Sequence, residues 1–173
     1  FIVTGLAWNQ DNDKLLYTFL EDCPDLGSDL FSLAVLDEHR QRYAVTTVPS
    51  LGTATWLKND LVFYTIFNNI EQDTGEGFIW DYRTALTSSL LPEIKGGYHN
   101  VSYNRKKDLL AYTVPGQIGE EIYIVNTSLG MTQKILSYPL PVRNLQWSGH
   151  DSLYFWDEMN NRIYEIEDLF ESA

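Results

Sequence analysis

Apolar and aromatic positions along the 173 residues gather in short runs of strand length, each closed by a polar or glycine-rich turn. The stretch 100–130 shows the unit most clearly. Residues 101–103 (VSY) lead into the polar turn 104–108, residues 109–113 (LLAYT) form an apolar, aromatic run, and residues 122–126 (IYIVN) form another after a glycine-rich loop. Both runs have the length and composition of β-strands.

The pattern recurs. LAWNQDNDKLLYTF from Leu6, ATWLKNDLVFYTIF from Ala54, VSYNRKKDLLAYTV from Val101 and LQWSGHDSLYFWDE from Leu145 align, with leading aromatics Trp8, Trp56, Tyr103 and Trp147 spaced by 48, 47 and 44 residues. A second aromatic column reads Tyr17, Tyr64, Tyr112 and Trp156, followed by Thr18, Thr65, Thr113 and Asp157. Third strands are expected at 33–37, 78–82, 122–126 and 163–167, and weaker fourth strands at 43–47, 86–91 and 132–136. Four short strands in a period of about 45 residues predict an all-β chain of β-propeller blades, with the aromatics filling the space between them. The repeats span approximately 5–47, 53–91, 100–136 and 144–168, as one propeller domain or propeller section. Helix is expected only as a short turn near 167–170. The run 1–4 is placed to supply the outer strand that the fourth copy lacks and so to close a small ring. The preferred alternative is a section of a larger propeller, because larger rings are commoner and Phe1 reads as an arbitrary start.

The repeated pattern, an aromatic, a turn containing Asp or Asn, an apolar-aromatic-Thr run and a strand ending in Asp or Asn, resembles the repeats of TolB-like propellers. The family's W-S-P-D-G turn is degraded here. Trp147-Ser148-Gly149-His150-Asp151 and Trp8-Asn9-Gln10-Asp11-Asn12 come nearest, whereas Trp56-Leu57-Lys58-Asn59-Asp60 and Tyr103-Asn104-Arg105-Lys106-Lys107 diverge further. The stretch 130–136, followed by Pro141 and Trp147, resembles the family's linker into the next blade. WD repeats are a weaker match, since neither a Gly-His pair before each first strand nor a Trp-Asp pair closing each third is present. The resemblance implies a fold more than a function, because such propellers serve as protein-binding scaffolds, gating domains of peptidases and occasionally enzymes.

Charge narrows the partners. A net charge of −12 argues against nucleic acid, whose affinity comes from neutralising phosphates with Lys and Arg. No apolar run reaches the roughly 18 residues of a membrane span. The single Cys23 supports neither an intramolecular disulfide nor a cysteine zinc site and reads as a structural thiol. No nucleophile elbow, zinc-protease helix or phosphate-binding glycine loop occurs, so no catalytic, cofactor-binding or metal residue is assigned and no cofactor is expected. His39, His99 and His150 read as turn residues, with His99 on the opposite face from the other two. The sequons at Asn100 and Asn126 are patterns that a chain of this composition produces by chance.

Strand direction sorts the charges. In an antiparallel blade the loops after strands two and four share one face, and those after strands one and three share the other. The second-to-third loops carry Glu21, Asp22, Asp25 and Asp29, then Glu71, Asp73 and Glu76, then Glu120 and Glu121, then Asp157 and Glu158, with Arg162 at the edge of the last. The fourth-to-first loops add Glu93, Lys95 and Arg143. The other face collects Lys14, Arg40, Arg42, Lys58, Arg83, Arg105, Lys106, Lys107 and Lys134, nine of the twelve basic residues, offset by Asp11, Asp13, Asp37, Glu38, Asp60, Asp108 and Asp151. The eleven loop acids form the candidate contact surface for a protein or peptide partner of basic character. Two functions are therefore expected in order: a non-catalytic binding scaffold, then the gating propeller of a prolyl-oligopeptidase-like serine hydrolase. The second is suggested by NDLVFYT at 59–65 and the acidic loop that follows, and further blades or another domain would complete either protein. The compartment is left open.

Overall fold

A computed structural model describes residues 2–21, 30–69, 73–148, 151–167 and 169, with the backbone alone at 68 and 69. The chain divides into two compact units, Phe1–Ile94 and Lys95–Ala173. The first unit holds β1 (Ile2–Trp8), β2 (Lys14–Glu21), β3 (Leu30–Asp37) and β4 (Arg42–Val48) in one antiparallel sheet. A second sheet in this unit contains β5 (Leu51–Lys58), β6 (Leu61–Asn69), β7 (Thr74–Asp81) and β8 (Leu86–Lys95), whose last residue crosses the boundary. The second unit holds β9 (His99–Asn104), β10 (Leu109–Pro115), β11 (Glu120–Asn126) and β12 (Thr132–Tyr138), then the three-stranded sheet of β13 (Val142–Trp147), β14 (Leu153–Asp157) and β15 (Arg162–Ile166). In all four sheets, here blades 1 to 4, strands pair in chain order. The architecture is the all-β one expected from the repeats. Ile2 and Val3, expected to belong to a closing outer strand, instead open β1, paired with Leu20 and Phe19.

Turn chemistry explains the polar columns. At the first-to-second turn, Asn12, Asp108 and Asp151 take φ of 57°, 59° and 67°, a left-handed conformation that Asn and Asp tolerate better than most residues. The residue after the leading aromatic closes that turn: Asn9 Oδ1 accepts the Asp13 and Lys14 amides at 3.1 Å each, and Asn104 Oδ1 accepts those of Lys106 and Lys107 at 3.0 and 3.2 Å. Ser148 Oγ plays the same part for the Ser152 amide at 3.2 Å. The Asp or Asn that ends the third strand in blades 1 to 3 starts the next turn. Asp37 accepts the Gln41 amide and Asp81 the Arg83 amide, both at 2.8 Å, and Asn126 accepts those of Ser128 and Leu129.

Register corrects one column. Trp8 lies opposite Leu15 and Tyr103 opposite Leu110, but Trp147 lies opposite Leu153, because its hairpin is one residue shorter. The blade-4 counterpart of Tyr17 and Tyr112 is therefore the buried Phe155, and Trp156 occupies the threonine position. A slip of one residue exchanges the two faces of a strand, so Trp156 points away from the core that Phe155 joins.

The cores lie between sheets. In the first unit Leu16, Leu33 and Val35 of blade 1 pack against Trp56, Val62, Tyr64 and Trp80 of blade 2. In the second, Leu109, Ala111, Ile122 and Ile124 of blade 3 pack against Val142, Leu145, Leu153 and Phe155 of blade 4. The same junction thus occurs once in each unit. Of the second aromatic column, Tyr64 belongs to the first of these cores and stacks on Phe78, and the buried Tyr112 stacks on Tyr123.

Candidate interaction surface

Each junction is tied at the first strands. The Trp56 indole N–H donates to the Ala7 carbonyl at 2.9 Å, and that of Trp147 donates to the Ser102 carbonyl at 3.1 Å. Both acceptors directly precede the leading aromatic of the preceding blade. The first strands also carry bulges, between Leu51 and Ala54 in blade 2 and opposite Ala111 to Thr113 in blade 3. At the blade-3 bulge Asn100, at φ 48°, donates through Nδ2 to Thr113 Oγ1 at 3.2 Å and to the Val142 carbonyl of blade 4 at 2.8 Å. The amide of that sequon is therefore held between two blades. In blades 1 and 2 glycines stand near the bulges, and a cavity of about 400 Å³ opens there, lined by Thr4, Gly5, Leu6, Thr18, Gly52 and Thr53 among others. No motif in the sequence marked it.

The hairpin tips, expected to make a mixed-to-basic face, are joined in pairs by their charges. Lys14 Nζ meets Asp13 at 2.9 Å and Asp60 of the next blade at 3.4 Å, and Arg83 meets Asp60 at 3.4 Å. Lys107 meets Asp151 at 3.6 Å, and Asn104 Nδ2 donates to the same carboxylate at 3.2 Å. In both units a base on one tip thus answers an acid on the following tip. Burial alone would lower the Lys14 ammonium, but its hydrogen bond to Asp13 and the charges of Asp13 and Asp60 raise it above the usual range.

The eleven candidate acids separate into distinct environments. Asp22, Asp25, Asp29 and Glu71 lie outside the described residues. Asp157 is fully buried and accepts the Tyr138 hydroxyl at 2.6 Å, the Asn160 amide at 3.0 Å and the Asn160 side chain at 2.6 Å. Desolvation would raise its carboxyl, but the Tyr138 and Asn160 hydrogen bonds outweigh burial and hold it below the ordinary carboxylate range. Glu120 and Glu121 lie on β11 rather than in a loop. Glu121 accepts Lys134 and the Tyr123 hydroxyl, both at 2.8 Å, and these partners depress its carboxyl. Arg143 lies 3.9 Å from Glu120 and 3.4 Å from Glu158. Lys134, sorted onto the opposite face by strand direction, is thus a direct neutraliser of an acid.

In the first unit Asp73 and Glu93 are exposed, while Glu21 and Glu76 are half-buried. Glu21 ends β2 and lies 3.9 Å from Arg42, another base assigned by sequence to the opposite face. Asp73 is exposed at φ 51° just before β7. Glu76, on β7, accepts the Ser89 hydroxyl at 3.4 Å, and Glu93, on the adjacent β8, accepts the Thr74 hydroxyl at 2.6 Å. Among the described residues neither Asp73 nor Glu93 forms an ion pair. The blade-2 surface carrying Asp73, Glu76 and Glu93 is therefore acidic and hydroxyl-lined. Glu93 was placed there by its fourth-to-first position but lay outside the eleven candidates.

Solved structures place the architecture. The chain matches acylaminoacyl peptidase from Pyrococcus horikoshii with a TM-score of 0.70 at 14% identity, over 90% of this chain and 28% of that one. It matches the β-propeller domain of the Trilobed protease from Pyrococcus furiosus, described as having an open velcro topology, with a TM-score of 0.65 at 12% identity, over 99% and 57%. It matches TolB from Acinetobacter baumannii with a TM-score of 0.62 at 14% identity, over 88% and 41%. The chain thus spans between 28% and 57% of the length of these three chains. No family model and no curated protein matches the sequence. The fold is that of β-propellers with TolB-like repeats.

Proposed function

We propose that the chain is a non-catalytic propeller scaffold that binds a basic protein or peptide through the acidic second-to-third loop ends of its blades. The supporting observation is the blade-2 surface. Asp73 just before β7, Glu76 on β7 and Glu93 on the adjacent β8 carry it, and among the described residues neither Asp73 nor Glu93 forms an ion pair, whereas acids of the second unit meet Lys134, Arg143, Tyr138 and Asn160. A net charge of −12 adds long-range attraction for cations that falls with salt. The test is calorimetric titration with an alternating Lys-Ser peptide at two salt concentrations. Binding that weakens with salt and is lost in the Asp73→Asn, Glu76→Gln, Glu93→Gln triple variant supports this reading. Equal binding by wild type and variant overturns it.

A second reading is the gating propeller of a serine peptidase, supported by the likeness to acylaminoacyl peptidase and to a puromycin hydrolase, the latter with a TM-score of 0.61. Sequencing the complete reading frame tests it. An adjoining α/β-hydrolase domain with a nucleophile elbow supports it, and a frame without one overturns it.

A further inference from the structure

The two inter-blade junctions differ at one place. In the second unit the Asn100 side chain spans blades 3 and 4, its Nδ2 donating to Thr113 Oγ1 at 3.2 Å and to the Val142 carbonyl at 2.8 Å. Asn100 stands three residues before the leading aromatic Tyr103, and in the first unit that position, three before Trp8, is Gly5. Both acceptors have counterparts there. Thr18 lies three residues beyond Leu15, the partner of Trp8, as Thr113 lies three beyond Leu110, the partner of Tyr103. Leu51 pairs with Ile66 at the position where Val142 pairs with Asp157, each five residues before the leading tryptophan of its blade. Gly5 has no side chain to join these groups, and the cavity of about 400 Å³ opens between them, lined by Gly5, Thr18 and Leu51. Gly5 pairs with Thr18 and Thr18 with Leu33, so both share the blade-1 face that packs on blade 2, while Leu51 and Ala54 approach from blade 2.

We propose that this cavity binds a primary carboxamide on a short aliphatic stem, the chemistry of a glutamine side chain. The amide N–H groups donate to Thr18 Oγ1 and the Leu51 carbonyl, as those of Asn100 do to Thr113 and Val142, and the stem lies among Leu16, Phe31 and Leu51. Charge selects against the alternatives. Among the described residues no Asp, Glu, Lys or Arg lines the cavity. An ammonium would therefore lose water without gaining a counter-ion, and a carboxylate would set acceptor against the Leu51 carbonyl. The site is separate from the acidic blade-2 surface and goes beyond the scaffold reading.

NMR titration of the full chain, followed at the Gly5 amide, tests this. Propionamide, which reproduces a glutamine side chain, is expected to bind in the millimolar range of so small a ligand, equally at low and high salt. Butanone has nearly the same shape without the N–H donors and is expected not to bind. Thr18→Val keeps the shape of the wall and removes one acceptor, along with the exposed bond to Thr4, and weakens propionamide by about 3- to 10-fold. Gly5→Asn supplies the chain's own amide and abolishes binding; where it disturbs folding, Thr18→Val alone decides. A capped peptide with one glutamine between two glycines separates two sources of the same group: tighter binding than propionamide marks a peptide-borne glutamine, weaker binding a free amide. No shift at Gly5 with propionamide, equal binding of butanone, or unchanged affinity in Thr18→Val each overturns the proposal.

Discussion

The Trp147 indole reaches back 45 residues to donate to the Ser102 carbonyl at 3.1 Å, and Trp56 makes the equivalent bond to Ala7 at 2.9 Å. A residue that the sequence displays as a periodic aromatic is therefore also a directional tie between neighbouring sheets. The tie combines a large apolar surface with a satisfied donor, which is the condition for burying an indole.

Replacing that indole by stages separates its two parts. Trp147→Phe keeps most of the ring contact and loses one hydrogen bond, an expected cost of about 1 kcal/mol. Trp147→Ala costs about 3–5 kcal/mol because a cavity forms. Trp8→Phe, at an exposed indole, changes stability in dilute solution by less than about 0.5 kcal/mol. Urea denaturation of the three variants measures this ordering.

Two glycines in the second unit share a left-handed backbone but differ in surroundings. Gly130, at φ 68°, has open space around a would-be Cβ, so Gly130→Ala carries only the left-handed penalty of about 1–2 kcal/mol. Gly119, at φ 72°, would direct a Cβ into the Tyr138 carbonyl and the following peptide. Gly119→Ala is expected to cost clearly more than Gly130→Ala. Chemical denaturation of both variants side by side checks the difference.

Asp157 predicts an acid-sensitive second unit. Its folded carboxyl titrates below its ordinary value of 3.8, so its stabilisation is fully present above that value and is lost as pH falls through the lower folded pKa. Asp157→Asn is therefore less stable than wild type near neutrality, and the gap narrows below pH 3.8. Thermal melts from neutral pH downward follow the gap; a constant gap contradicts the assignment.

Asn100 is predicted to remain unmodified despite its sequon, since its amide nitrogen is held by Val142 and Thr113. Expression in a glycosylating host followed by peptide mass spectrometry checks this. Asn100→Ala, which removes both bonds, is expected to cost about 1–3 kcal/mol.

The sequence was most legible where a local rule acts alone. Strand runs, turn residues such as Asn9 and Asn126, and the periodic tryptophans follow from alternation and turn geometry, and the sheets appear where these signals lie. Blade 4 was misaligned by one residue because an aromatic pair, Phe155 and Trp156, fits the column in either register, and only the hairpin length decides. Charge sorting by loop was the least legible feature. Long side chains reach along a sheet, so Arg42 meets Glu21 and Lys134 meets Glu121 although strand direction sets them apart. Burial of Asp157 was hidden because its partners, Tyr138 and Asn160, come from a different blade and from the following turn.

The unequal first hairpins have one more consequence. Trp8 and Trp147 hold equivalent places although their connections differ by a residue, because pairing is fixed by the strands and the difference is absorbed at the tip. These tips are therefore natural ports for engineering. A foreign recognition loop grafted between Asn104 and Asp108 would give up the Lys107–Asp151 ion pair but would be carried by the scaffold without shifting the register of the strands beneath it.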